Sequence, residues 1–196
     1  VKLAPDVFVR KGMDVNAFAK DAVARLGLPL FVKPTDGGSS FGISKVKEAD
    51  ALVSAVNFAF SEGPAVVVEK AIVGEEFTCA AYTSHGHVKA LPVIQILTDN
   101  EYFDYDAKYN GNSREVCPAP ISEAQSSAIQ KVTERIYTHL GCNGIVRMDY
   151  ILAEDGLYFI EVNTIPGMTS ASLVPKMVRA AGLDVTEFLT DVIENS

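Results

Sequence analysis

Apolar positions along the chain change their spacing several times, and each change marks an element. Over residues 14–26 they recur at intervals of three and four (Val15, Phe18, Ala19, Ala22, Val23, Leu26), the period of one helix face. Gly27 reads as the stop of that helix, and Pro29 prevents its continuation. Val7-Phe8-Val9 reads as a short strand before it. After it, the strand Leu30-Phe31-Val32-Lys33 runs through Thr35-Asp36-Gly37-Gly38-Ser39-Ser40-Phe41-Gly42 into a second strand over 43–46. Another amphipathic helix starts at Lys47-Glu48-Ala49-Asp50, carries Leu52, Val53, Val56 and Phe60, and ends at Gly63-Pro64. Residues 65–69, Ala-Val-Val-Val-Glu, form a short apolar run of buried-strand type.

Beyond Gly74 the pattern shifts toward period two. Residues 76–83, 88–97 and 156–162 alternate or run apolar like antiparallel strands, with His85-Gly86 turning between the first two. A long helix is predicted over 123–140, with Ala128, Ile129, Val132, Ile136 and Leu140 on one stripe. Residues 144–152 form a strand, and Glu154-Asp155-Gly156 is its hairpin turn. Helices over 172–181 and 185–194 close the chain. Strands and helices are mixed without strict βαβ alternation, which predicts an α+β fold with antiparallel sheets. The change at Gly74 predicts two lobes, 1–74 and 75–196.

The composition, 48% hydrophobic and 21% charged over 196 residues, suits globular lobes with a core of their own. No run of about 18 uncharged apolar residues is present, so no membrane span is expected. No cleavable leader is legible in Val1-Lys2-Leu3-Ala4-Pro5, and an opening Val predicts that the sequence starts inside a longer chain. A net charge of −8 argues against a nucleic-acid partner, which would call for a basic stripe. Cys79, Cys117 and Cys142 form no CxxC pair and no metal-ligand spacing with the three histidines, so reduced thiols of a cytoplasmic protein are expected.

Five segments could carry chemistry. Lys33 at a strand end precedes a Gly/Ser-rich loop whose backbone N–H groups can approach phosphate oxygens. No Gly-Lys-Ser/Thr closes it, so it is not a Walker A loop, and a hairpin turn needing positive φ is the competing reading. Arg147 and Asp149 share one face of their strand, as Glu161 and Asn163 do of theirs, because residues two apart in a strand point the same way. Joined by the hairpin, the strands bring Asp149, Glu161 and Asn163 together, a hard-oxygen set suited to magnesium and nucleotide phosphates, with Arg147 placed to stabilise a developing anion. A solvated Arg–carboxylate face is the alternative, but Ile145, Val146, Ile151, Phe159 and Ile160 make charge costly there unless it is used. Residues 66–72 with Glu75-Glu76 could offer backbone to a purine edge and a carboxylate to a ribose, or simply end a strand. Residues 102–111, aromatic and ending in Asn-Gly, suit a lid whose Lys108 closes on phosphates, or a surface loop with its own small core. Residues 163–169 lead through Ser170-Ala171-Ser172 into a helix start. There the Gly167 amide could hold an oxyanion or a carboxylate, and capping alone would also explain the Ser and Thr.

Taken in order, Phe-Val-Lys-Pro with Gly-Gly-Ser-Ser, Val-Glu-Lys, Gly-Glu-Glu-Phe-Thr, Tyr-Asp-Ala-Lys-Tyr, Arg-Met-Asp-Tyr and Glu-Val-Asn-Thr-Ile-Pro-Gly-Met-Thr, the chain resembles D-alanine–D-alanine ligases of the ATP-grasp superfamily over essentially its whole length. The resemblance implies the ATP-grasp fold, two lobes whose antiparallel sheets clasp ATP. It implies that Lys33 and Lys108 hold nucleotide phosphates beneath the loop containing Gly38 and Ser40. Glu69, Lys70 and the backbone by Ile72 would bind adenine, and Glu76 the ribose. Asp149, Glu161 and Asn163 would bind two magnesium (or manganese) ions. Arg147 and the Gly167 amide would stabilise a tetrahedral oxyanion, Ser172 would grip the carboxylate of the second D-alanine, and Tyr109 with Ser39 would orient substrate. Family members often carry an aromatic where Ala71 stands here.

The implied reaction activates the carboxylate of one D-alanine as an acylphosphate, and the amine of a second D-alanine then displaces phosphate. The product serves peptidoglycan precursor synthesis in the cytoplasm, and the whole enzymes are commonly homodimers. The family's N-terminal domain, which binds the first D-alanine, is not in this sequence, so the chain is expected to bind magnesium–ATP but not to ligate alone. A D-alanine–D-lactate or D-serine ligase is the nearest alternative; the resemblance implies that the lactate enzymes replace the lid tyrosine, so Tyr109 favours D-alanine over D-lactate. A nucleotide-binding module without chemistry is the other.

Overall fold

The computed structural model describes residues 1–36, 40–98 and 113–195. They divide into two compact units, one of Leu3–Val73 and the other of Val1–Lys2 with the chain from Gly74 on. Gly74 opens the second unit for a steric reason: a Cβ there would lie 2.4 Å from the Leu152 carbonyl oxygen and 2.7 Å from Ile151 Cγ2.

In the first unit β1 (Asp6–Arg10), β2 (Leu30–Pro34), β3 (Ser44–Val46) and β4 (Ala65–Lys70) form an antiparallel sheet in the order β1-β4-β2-β3. Helix α1 (Val15–Leu26) begins at Asp14, whose carboxylate accepts from the Asn16 and Ala17 amides at 2.9 and 3.1 Å. It ends at Gly27, whose φ of 70° is ready for glycine and whose N–H returns to the Val23 carbonyl. The helix expected from residue 47 instead opens as a 3-10 turn, Ala49–Ala51, before α2 (Leu52–Ala59); Glu48 gives its start no side-chain cap. Val7, Val9, Leu30, Val32, Val66 and Val68 point to one face and pack with Ala19, Ala22, Leu26, Leu52, Val56 and Ala59 of the two helices. The alternate residues Phe31, Lys33, Val67 and Glu69 stay only partly covered on the other face.

The second unit is built on β5 (Glu75–Ser84). One edge of β5 pairs with β9 (Ile145–Ala153), which pairs with β10 (Gly156–Asn163). The other edge takes β6 (His87–Ala90) and then β7 (Ile94–Thr98), followed outward by β8 (Ser113–Val116). The single strand expected over 88–97 is therefore two. Pro92 has no N–H to continue the ladder, although the Leu91 N–H still reaches the Ala80 carbonyl at 2.8 Å. Strand β8 has no apolar alternation in Ser-Arg-Glu-Val and is held by its backbone pairing to β7.

Helix α3 (Glu123–His139) starts in a capping box in which the Gln125 amide donates to Ser122 Oγ and the Ser122 amide donates to Gln125 Oε1. Its buried stripe is Ile129, Thr133 and Tyr137, flanked by Val132 and Ile136, whereas Ala128 and Leu140 of the expected stripe are exposed. Two of the buried positions are polar because each has a partner. Thr133 Oγ1 donates to the Ile129 carbonyl and bonds Tyr150 Oη, and Tyr137 Oη donates to the Gly144 carbonyl. The helix covers one face of the sheet with Phe77, Cys79, Val146, Met148 and Tyr150. Helices α4 (Leu173–Ala180) and α5 (Val185–Glu194) complete the unit, α5 setting Phe188 edge-on to Tyr82 at 4.7 Å between ring centres. No helix among the described residues is long and apolar enough to cross a membrane.

The order of β10 against β9 contains one irregularity. Phe159 stands opposite Tyr150, but Glu161 stands opposite Asp149, so Ile160 is an extra residue. Continued without that bulge, the register would place Ile160 and Val162 opposite Asp149 and Arg147 and turn Glu161 and Asn163 toward the apolar core.

Candidate functional site

The residues of β5, β9 and β10 on the face away from the Phe77–Cys79–Met148–Tyr150 core meet around Asp149. Thr78 of β5 and Glu161 of β10 stand directly opposite it on its two neighbours, and Asn163 stands opposite Arg147. Arg147 grips the carboxylate in two places, Nε to Oδ1 at 3.0 Å and an Nη to Oδ2 at 2.9 Å. Thr78 Oγ1 donates to Oδ1 at 2.6 Å and Asn163 Nδ2 donates to Oδ2 at 3.0 Å. The Arg147 and Asp149 side chains are only 16% and 15% exposed, so the pair is shielded from the solvent screening that weakens surface ion pairs. Burial lowers the Arg147 pKa, but the hydrogen bond and charge of Asp149, with the charges of Glu161 and Glu76, more than offset it, and the net shift is upward. The guanidinium therefore stays cationic.

Asp149, Glu161 and Asn163, expected together from the alternation, are together. Among the described residues no group of three or more His, Cys, Asp or Glu side chains is arranged to hold a metal ion. The local donors are instead two carboxylates and an amide, without sulfur or imidazole. That set fits magnesium, which is held by one or two carboxylates and completes its shell with water and phosphate oxygens.

Glu76 is half-buried on the same face of β5, two residues before Thr78. Thr78 is 1% exposed; alternation from Glu76 puts it on this face, but nothing local in the sequence marks its partner on β9. Ser172 stands at the N-cap position of α4 but does not cap it. Its hydroxyl turns back to accept from the Thr169 amide at 3.1 Å and to bond Thr169 Oγ1 at 2.8 Å. A Cβ at residue 167 would come within 2.9 Å of Ser172 Oγ, so Gly167 leaves room for that hydroxyl.

In the first unit Lys33 and Glu69 project from the partly covered face of the sheet and pair, Nζ to Oε2, at 2.5 Å. Lys33 also stands over the Phe31 ring at 5.9 Å. Beyond Glu69 the Lys70 and Ala71 amides donate to the carbonyls of Pro5 and Pro29, so the backbone donors of the strand end are used within the unit through Ala71. Ser40 adopts a φ of 61° in the turn before β3. Gly38 and Ser39 of the Gly/Ser loop, and the 102–111 segment with Lys108 and Tyr109, lie outside the described residues.

A family model described as D-ala D-ala ligase C-terminus matches residues 4–194. Over its whole length the chain is 47% identical to a D-alanine–D-alanine ligase of Parabacteroides distasonis, of which it covers 59%. It is 49% identical over 185 residues to that of Porphyromonas gingivalis, covering 56%. Among solved structures it is similar to the VanG D-Ala:D-Ser ligase of Enterococcus faecalis, with a TM-score of 0.88 and 36% identity, over 99% of this chain and 57% of that one. It is also similar to D-alanyl-alanine synthetase A of Vibrio cholerae, with a TM-score of 0.86 and 31% identity, over 100% of this chain and 60% of that one. The chain thus spans 56–60% of the length of these relatives. Its antiparallel α+β architecture is the ATP-grasp fold of those neighbours. On both its matched sequence and its fold, this chain belongs to the D-alanine–D-alanine ligase C-terminal family.

Proposed function

We propose that this chain is the nucleotide- and metal-binding part of a cytoplasmic ATP-dependent ligase that joins two D-alanines for peptidoglycan precursor synthesis. The observation that carries the reading is the Arg147–Asp149 pair with Asn163 bonded to it and Glu161 opposite it on the next strand. A scaffold has no use for a shielded cation set beside two carboxylates on an otherwise apolar hairpin.

Each unit contributes its own part. Lys33, with Lys108 and the loop of Gly38 and Ser40, serves the nucleotide phosphates. Glu69, Lys70 and the Ile72 backbone serve adenine, and Glu76 the ribose. The Lys33 ammonium uses one of its three N–H donors on Glu69 and keeps the others for a phosphate.

Asp149, Glu161 and Asn163 are the residues that would hold two magnesium or manganese ions. When bound, these ions offset charge on the phosphoryl group that passes from ATP to the carboxylate of the first D-alanine. Arg147 and the Gly167 amide stabilise the oxyanion formed when the amine of the second D-alanine attacks the acylphosphate, which then loses phosphate. Ser172 positions the second D-alanine by its carboxylate, and Tyr109 with Ser39 orients the attacking groups. As part of a longer ligase the chain would act in a homodimer. Alone it binds magnesium–ATP without ligating.

The likeness to a D-Ala:D-Ser ligase supports a second reading in which D-serine is the incoming amine. Competition between D-serine and D-alanine for phosphate release by the longer enzyme separates the two readings. The nucleotide reading is tested first by thermal unfolding with and without magnesium–ATP. Ligand at about 100 times its dissociation constant should stabilise the fold by roughly 2.7 kcal/mol, a shift of a few degrees. Asp149→Asn should lose the magnesium-dependent part. A shift indifferent to magnesium, or kept by the variant, rules out Asp149 as a ligand.

A further inference from the structure

An ionised carboxylate has about four lone-pair positions, and at Asp149 four protein donors approach them. Oδ1 accepts from Thr78 Oγ1 at 2.6 Å and Arg147 Nε at 3.0 Å, and Oδ2 accepts from an Arg147 Nη at 2.9 Å and Asn163 Nδ2 at 3.0 Å. A cation can reach Asp149 only by displacing a donor. The donors differ in how readily they leave. Arg147 and Asn163 hold the carboxylate by the ends of side chains that can turn, and neither residue is fully buried. Thr78 is β-branched, 1% exposed, and fixed on the central strand β5 with β9 on one side and β7 on the other. Its other polar contact, 3.3 Å to the Met148 carbonyl, is also on β9.

We propose that Thr78 is a positioning residue for Asp149: its buried hydroxyl keeps Oδ1 bound to the protein and leaves Oδ2 as the oxygen that can exchange its donors for a cation. The proposal rests on the reading of Asp149 as a metal ligand. It assigns the hydroxyl, not the methyl, of Thr78 as the functional part. A bond at 2.6 Å to an ionised oxygen is in the range of strong charge-assisted contacts. A carboxylate anchored on one oxygen loses little orientational freedom when a cation arrives, whereas one held only by Arg147 and Asn163 would have to be reoriented as those donors move away.

The test is manganese binding to the 196-residue chain, followed by electron paramagnetic resonance in the presence of a non-hydrolysable ATP analogue, beside the thermal midpoint without ligand. Thr78→Val keeps the branched shape and removes the hydroxyl, and is expected to weaken manganese binding roughly 10- to 100-fold, the range for loss of a ligand's supporting hydrogen bond. Its thermal midpoint should fall by only a few degrees, the loss of one shielded hydrogen bond, with the folding transition kept. Thr78→Ser should restore binding to within about threefold of the unsubstituted chain, well short of that range. If Thr78→Val does not fold, Thr78→Ala against Thr78→Ser gives the same contrast, since both lack the methyl and only one lacks the hydroxyl. Unchanged manganese affinity in the hydroxyl-free variant, or failure of Ser to restore it, overturns the proposal. Asp149→Asn separates the two levels. If it binds manganese as well as the unsubstituted chain, the metal reading itself fails and the role of Thr78 falls with it. If it loses binding while Thr78→Val does not, only the positioning role fails.

Discussion

Asp149 shows how much one side chain's function depends on its neighbours. Its carboxylate is tolerable at 15% exposure because Arg147, Thr78 and Asn163 satisfy it, and removing Arg147 would leave a charge with too few partners. Gly74 is the opposite case, a residue whose importance is the atom it lacks. With the Leu152 carbonyl 2.4 Å from where a Cβ would stand, Gly74→Ala has to push β5 away from β9. Overpacking against backbone rather than a flexible side chain sets the expected loss at about 3 kcal/mol, read as a lower urea midpoint at unchanged slope. A variant as stable as the parent would mean that the start of β5 can move freely. Arg147, Asp149, Glu161 and Asn163 could be read at this scale because strand alternation fixes which residues share a face. Thr78 could not, because its partner is 71 positions away.

The elements were legible where the signal is local. Helix α1 has both its period and its ends in the sequence: Asp14 accepts two of the orphan amides, and Gly27 supplies the positive φ that stops it. In α3 the start is marked by Ser122 and Gln125, and Ser122→Ala should cost about 1 kcal/mol in an equilibrium unfolding titration. A change below a few tenths would show that Gln125 and water replace the hydroxyl. The buried face of the same helix was less legible. Thr133 and Tyr137 count as polar in any periodicity, yet each buries its apolar body and bonds its oxygen to a partner across the core. Two sheet features were invisible for a similar reason. The break at Pro92 and the bulge at Ile160 change which residue opposes which, and an apolar run such as Leu157-Tyr158-Phe159-Ile160 carries no mark of the extra residue.

Across the whole molecule the buried thiols and phenols set the response to alkali. Burial pushes the Cys79 thiol up to about 12 from its ordinary 9.0 and moves the Tyr150 phenol upward as well. Between these values the folded chain keeps the Cys79 proton while the unfolded chain releases it, so stability is full below pH 9 and falls as pH rises toward 12. The Cys79 contribution to that fall is on the order of 4 kcal/mol. Cys79→Ala should accordingly be less stable than the parent at pH 8 and lose less between pH 8 and pH 11, measured as urea midpoints. Parallel losses would assign the alkaline limb to the tyrosines alone. The sequence by itself determined the antiparallel α+β character, the two ends of α1, and the shared facing of Arg147 with Asp149 and of Glu161 with Asn163. Each follows from period, caps and sterics within a few residues. Only the tertiary structure decided that Thr78 is the inner partner of Asp149, that Ile160 is the bulge which sets Glu161 opposite it, and that Lys33 meets Glu69. These depend on register between strands far apart in the chain, and register is settled by packing the whole core rather than by any local pattern.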